Sequence, residues 1–142
     1  MQAAGGEDLS RSASGSAGAR IPLGTRTKGQ LEAEISKTVV AFEREFMGRG
    51  PTEVRTYLLQ DMVLVRLKGV LTPAERQLIK AEGVELLKQV RSKLLETGRD
   101  LLKKSLRELT GCEVVSMHAD LSTKTGERVI IFVLNENIEA VG

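Results

Sequence analysis

His118 and Asp120 stand two residues apart in a segment of alternating character. On a β-strand both side chains would point to the same side. An imidazole beside a carboxylate is the raw material of general-base catalysis or of a partial metal site. No nucleophile motif accompanies the pair, and such a spacing arises often by chance. A structural or surface role therefore outweighs a catalytic one. A structural zinc site is excluded, because the chain holds one histidine and one cysteine.

The next segment, Ser122 to Arg128, offers hydroxyls at Ser122, Thr123 and Thr125, cations at Lys124 and Arg128, and a glycine at 126. Amides and cations together could hold a phosphate or a carboxylate. The spacing is not that of a Walker loop, and the segment joins two strand-like runs. A plain hairpin turn is the stronger reading of this composition. Met47-Gly48-Arg49-Gly50-Pro51 reads as a helix stop that could display Arg49 to an anion or a partner. Arg66 and Lys68 share one face of a strand that Arg55 could join; a solvated sheet face is the simpler reading. Cys112 reads as a small buried hydrophobe.

The elements that position these residues follow from apolar periodicity. Over Lys28–Met47, Leu31, Ile35, Val39, Phe42 and Phe46 form one helical stripe, and Glu43 is read with the charged residues of the other faces. Burying such a stripe contributes about 1.5–3 kcal/mol per large side chain, more than helix propensity does. Val54–Leu59 and Met62–Lys68 read as a hairpin about Gln60-Asp61. Thr72-Pro73-Ala74-Glu75 opens a second helix, with Thr72 as cap, Pro73 at the first position and Glu75 closing a capping box. Helical pattern runs on to Leu109, with a break expected near Gly83 or Gly98 and Gly111 as the terminal cap. Glu113–Leu121 and Arg128–Leu134 complete a second hairpin, turned near Gly126. The expected architecture is α+β: a four-stranded antiparallel sheet of two hairpins, with amphipathic helices on one face and the order α-β-β-α(α)-β-β.

Residues 1–26 are rich in Gly, Ala, Ser and Arg and too poor in bulky apolar groups to offset the entropy of ordering. They are expected to form a disordered tail, with one domain over 27–139 and a loose end at 140–142. A net charge of +2 and 3% aromatic residues argue against nucleic-acid binding by phosphate tracking or base stacking. No apolar run approaches the roughly 20 residues of a bilayer span, no signal peptide is apparent, and a lone cysteine fits a reducing compartment. A cytoplasmic location is expected, and any membrane role would come through a partner. The doublets Leu86-Leu87, Leu94-Leu95 and Leu101-Leu102 are enough to cover a sheet and leave a second apolar surface, which points to a homodimer.

Four stretches together resemble a known family: Lys28-Gly29-Gln30 through Glu34-Ile35-Ser36, Phe46 to Pro51, Leu67 to Glu75, and His118 to Arg128. They resemble a bacterial family once listed as a domain of unknown function and now named as the C component of a sodium-translocating, membrane-potential-generating system. The resemblance spans Thr27 to Glu139. It implies a soluble accessory of a membrane ion-transport assembly, with transport proteins as partners, and carries no catalytic residues or cofactor. It marks Gly48, Arg49, Gly50, Pro51, Gly69, Thr72, Pro73, His118, Asp120, Thr123, Lys124, Thr125, Gly126, Glu127 and Arg128 as positions of interest.

The sequence thus supports first a non-enzymatic, dimeric interaction domain. The alternative is a small-anion binder or enzyme that gathers His118, Asp120, Lys124 and Arg128 around one pocket. That alternative requires His118 to share a sheet face with Lys124 and Arg128.

Overall fold

A helix that opens on a capping box needs little else to fix its start. Thr27 Oγ1 accepts a hydrogen bond from the Gln30 amide at 3.1 Å, and the Thr27 amide in return donates to Gln30 Oε1 at 2.9 Å. In the computed structural model, which describes residues 26–139, this begins α1 (Lys28–Met47). Gly48, at φ 77°, ends it in the left-handed conformation. β1 (Glu53–Leu59), β2 (Met62–Lys68), α2 (Pro73–Glu82), α3 (Val84–Thr110), β3 (Val114–Ser122) and β4 (Glu127–Leu134) follow. The α+β class and the element order are those expected, and the helical break falls at Gly83.

Gly83 adopts φ 87°, ψ 178°, a region in which only glycine is comfortable, and there the chain turns from α2 into α3. Gly98 does not interrupt α3. The two hairpins join through β2 and β4, giving one antiparallel sheet in the order β1-β2-β4-β3.

The sheet's inward face carries Leu58, Val63, Val65, Leu67, Met117, Leu121, Ile130, Phe132 and Leu134. Against it lie Leu31, Ile35, Val39 and Phe42 of α1 and Leu87, Leu95, Leu102, Leu106 and Leu109 of α3. This aliphatic layer is what sequence periodicity called for. Helix α2 buries none of its residues and packs on α3 alone among the elements it meets closely. Its start is held by Thr72, which accepts from the Glu75 amide at 3.1 Å, while Glu75 accepts from the Thr72 amide at 2.8 Å. Thr72→Ala is expected to cost about 1 kcal/mol. Because α2 has so little buried surface, the loss should appear as faster amide exchange confined to 73–82, with the sheet amides unchanged.

One boundary is corrected. Arg26, assigned by composition to the tail, is buried, and its Nη1 donates to the Leu109 carbonyl at 2.8 Å. A cation there satisfies an orphan carbonyl at the end of α3 and complements its dipole. The remainder of the expected tail and residues 140–142 lie outside the described residues.

Candidate functional site

Among the described residues, no helix lies over the sheet's second face. The strand register sets its side chains in rows. Leu59, Met62, Val133 and Ser116 form one; Tyr57, Leu64, Ile131 and His118 the next; Arg55, Arg66, Val129 and Asp120 the third. Beyond them Glu53 stands beside Lys68, and Glu127 beside Ser122. The face is therefore apolar at the end near the β1–β2 turn and charged at the other. Tyr57, Leu59 and Met62 are exposed, and Val115, pushed out at a β-bulge in β3, is 63% exposed.

At the charged end Glu53, Arg55, Tyr57, Arg66 and Lys68 line a shallow open groove. The sequence-predicted trio of Arg55, Arg66 and Lys68 is thus brought together. Much of its charge is already matched: Arg66 Nε donates to Glu127 Oε2 at 2.5 Å, and Arg55 lies 3.8 Å from Glu53. The hydrogen bond from Arg66 holds the Glu127 carboxyl below the usual range, and the same bond raises Arg66.

His118 and Asp120 both stand on this face, as their spacing predicted, but they are engaged separately. The His118 ring Nε2 shares a hydrogen bond with Ser116 Oγ at 3.1 Å. Asp120 Oδ1 accepts from the Leu121 amide at 2.9 Å and lies 3.5 Å from Lys88 Nζ.

Two amides of the loop after β3 are bonded within it. Ser122 Oγ accepts from the Thr125 amide, and the Ser122 carbonyl accepts from Gly126. Gly126, at φ 72°, is buried; its carbonyl accepts from Val70, and a Cβ there would lie 3.0 Å from Arg76 Nη2. The turn is docked on the β2–α2 connection. Thr123 is half-buried, while Lys124 and Thr125 are exposed. Arg49 is half-buried on the α1–β1 turn.

Arg128 is not in this set. It points to the opposite, helix-covered face, where its side chain is 3% exposed and its Nε lies 3.6 Å from Glu43 Oε2. Its expected place among anion ligands beside Lys124 is corrected on that ground. Glu43, read as part of a solvated helix face, is likewise buried. Beside them Arg91 forks onto Glu75, with Nε to Oε2 at 2.8 Å and Nη2 to Oε1 at 2.7 Å, and Nη2 also donates to the Val70 carbonyl at 2.6 Å. Burial pushes the Glu43 carboxyl up, although Arg128 and Arg91 oppose it. Burial works against the Glu75 carboxylate too, but the bonds from Arg91 and Thr72 outweigh it and hold that group low. Both oxygens of Glu43 and the Nε and Nη2 of Arg128 lack a hydrogen-bond partner. The buried trio of Glu43, Arg91 and Arg128 escaped the sequence reading, yet a signal existed. Arg91 falls on the Leu87, Leu95 stripe; Arg128 shares strand parity with Ile130 and Phe132; Glu43 follows Val39 by one turn.

No group of three or more His, Cys, Asp or Glu side chains among the described residues could hold a metal ion. No described helix is long and apolar enough to cross a membrane.

These features define a small α+β domain with a bare, half-apolar sheet face and an interior ion-pair network. The chain belongs to the family described as Na+-translocating membrane potential-generating system (MpsC), whose model matches residues 27–136. Two Bacillus subtilis (strain 168) proteins are similar to it. One, named uncharacterized protein YbcI, is 45% identical over 115 residues, covering 80% of this chain and 93% of the relative. The other, uncharacterized protein YrhF, is 25% identical over 111 residues, 75% of this chain and 88% of the relative. No solved structure matches.

Proposed function

We propose that this chain is a non-enzymatic, self-associating accessory of a sodium-translocating, membrane-potential-generating system, held at the cytoplasmic side of the membrane by a membrane-embedded partner. The observation that carries this reading is the pair of uncovered apolar surfaces on one small domain. One is the open sheet face. The other is an outer stripe on α3, where Leu86, Val90 and Leu101 are 43%, 45% and 50% exposed. Patches of this kind mark interfaces, and a domain with two can bind its own copy and a partner at once.

The anion-binding or enzymatic alternative needs His118, Asp120, Lys124 and Arg128 to converge. Arg128 lies across the sheet from His118, and the Thr125 and Gly126 amides bond within the loop, so the geometry favours the interaction domain. Sizing with light scattering should give a mass above one chain. Affinity purification from the native bacterium, in detergent, should recover membrane transport proteins. A strict monomer that brings down no membrane protein would remove the reading.

A further inference from the structure

The open sheet face has a symmetry of its own. With the strand order β1-β2-β4-β3, an in-plane twofold axis lying between β2 and β4 and parallel to the strands sets β1 over the second copy's β3, and β2 over its β4. We propose that this face packs on the same face of a second copy about that axis, forming a sheet-on-sheet dimer. The proposal rests on the reading of the chain as self-associating and names the surface and the symmetry.

The pairings follow from the register. In the apolar rows Leu64 falls over Ile131, Met62 over Val133, and Tyr57 over His118. In the charged rows Arg55 falls over Asp120 and Lys68 over Glu127, and each match occurs twice by symmetry. Opposite charges meet at Arg55–Asp120 and Lys68–Glu127 and apolar groups at Leu64–Ile131 and Met62–Val133, while Leu59 falls over Ser116, Arg66 over Val129 and Glu53 over Ser122. The other in-plane twofold axis, across the strands, would lay Lys68 on Met62, Arg66 on Leu64 and Glu127 on Val133 and bury charges against hydrocarbon, which is costly. Packed sheets are rotated by about 30°, and an edge strand about 7 Å from the axis is then displaced by about 4 Å. An arginine side chain spans that gap.

Edge-to-edge pairing is hindered on both edge strands, which favours the face. Glu32 Oε2 accepts from the Leu58 amide of β1 at 2.9 Å, and Arg99 Nη2 donates to the Met117 carbonyl of β3 at 2.8 Å. Both strands thus have outward backbone groups occupied by helix side chains, and the bulge at Val115 distorts β3 further. The existing partners of Arg55 and Asp120 are weak competitors, whereas Glu127 keeps its short bond from Arg66 and would accept from Lys68 of the second copy as well. Arg55 is 68% exposed beside Glu53, and Asp120 is 84% exposed beside Lys88; solvated pairs of this kind are worth little.

Four strands about 4.8 Å apart and seven residues long at about 3.3 Å each give roughly 440 Å² in plan per copy, with more as corrugated accessible surface. That lies at the lower end of specific interfaces, which bury about 800 Å² per partner. A reversible dimer with a dissociation constant on the order of micromolar is expected.

The test is sedimentation equilibrium on the full chain and three variants, with circular dichroism and melting as folding controls. Leu64→Lys should weaken the dimer by about 100-fold. Arg55→Glu and Asp120→Arg change exposed residues and should each weaken it by about tenfold or more, because like charges then meet twice. Mixing these two variants should restore association as a heterodimer, since both charge pairs become complementary again; a surface unconnected with these residues would not reproduce that recovery. A wild-type chain that stays monomeric at hundreds of micromolar would overturn both the interface and the self-association on which it rests. A dimer untouched by these variants, but lost on Leu86→Lys and Val90→Lys of α3, would overturn the interface alone. If Leu64→Lys fails to fold, the charge-exchange arm decides.

Discussion

Glu43→Leu is expected to destabilise the domain by about 3–5 kcal/mol in urea unfolding, while Glu43→Leu combined with Arg128→Met should come within about 1 kcal/mol of the parent or exceed it. The single change leaves the Arg128 guanidinium inside the protein with Arg91 nearby and its carboxylate gone. A buried charge without its main partner carries most of the desolvation penalty, which the Glu75 carboxylate offsets only in part. The double change removes both charges. It sacrifices little, because at 3.6 Å, with neither oxygen of Glu43 hydrogen-bonded, the pair is a poor one. A double-mutant cycle therefore gives a large coupling energy beside a small net contribution. If Glu43→Leu alone were neutral, the interior charge pair would not exist as described.

The same pair makes stability depend on pH in a direction opposite to that of most carboxylates. Glu75 is held low by Arg91, and such a group contributes stability above its ordinary pKa that is lost as pH falls. Glu43 is raised from 4.5 by burial, so the folded state binds its proton more tightly than the unfolded chain does. That contribution is most favourable below pH 4.5 and is lost as pH rises through the folded value. Arg128→Met removes the main charge that opposes the rise. Its cost relative to the parent should therefore grow as pH rises above 4.5, whereas the cost of Glu43→Leu should fall as pH rises through the folded value, because that change removes the proton-linked contribution itself.

How far the sequence reached depended on whether a residue obeyed its local period. The aliphatic stripes of α1 and α3 and the alternation of β2 gave the layers, and Thr72-Pro73-Ala74-Glu75 gave the start of α2, because burial and capping act over a few residues. The meeting of β2 with β4 was not legible. Any pairing of two hairpins buries the same alternating face, and register between distant strands is settled only by the assembled core. At the candidate site, Arg66 and Lys68 were placed correctly by parity alone, with Arg55 joining them across the β1–β2 pair. Arg128 and Glu43 were misplaced because charge was taken as a sign of solvent. Three charged residues on three elements, each at an apolar position of its own period, can satisfy one another only in three dimensions.

Gly98 is the residue at which propensity and packing give opposite predictions, and packing should win. Glycine inside a helix costs about 1 kcal/mol relative to alanine, so on propensity alone Gly98→Ala ought to stabilise α3. In the fold a Cβ at this position would lie 2.4 Å from Phe42 Cε1, 2.7 Å from Phe42 Cζ and 3.2 Å from Phe46 Cε1. The two rings are stacked with centroids 4.6 Å apart, and Phe42 is 5% exposed, so neither can swing away cheaply. Separating α1 from α3 would in turn loosen Val39 and Leu102, both in the same core. Overpacking of this kind typically costs about 1–3 kcal/mol, which exceeds the propensity gain. Gly98→Ala should thus be net destabilising by up to about 2 kcal/mol, and Gly98→Leu, with three more carbons forced into the same crossing, by more than about 3 kcal/mol. Adding Phe42→Leu to Gly98→Ala should return part of the loss, because the branched side chain is shorter than the ring it replaces. A Gly98→Ala protein that melts higher than its parent would mean that the α1–α3 crossing is wider than this geometry.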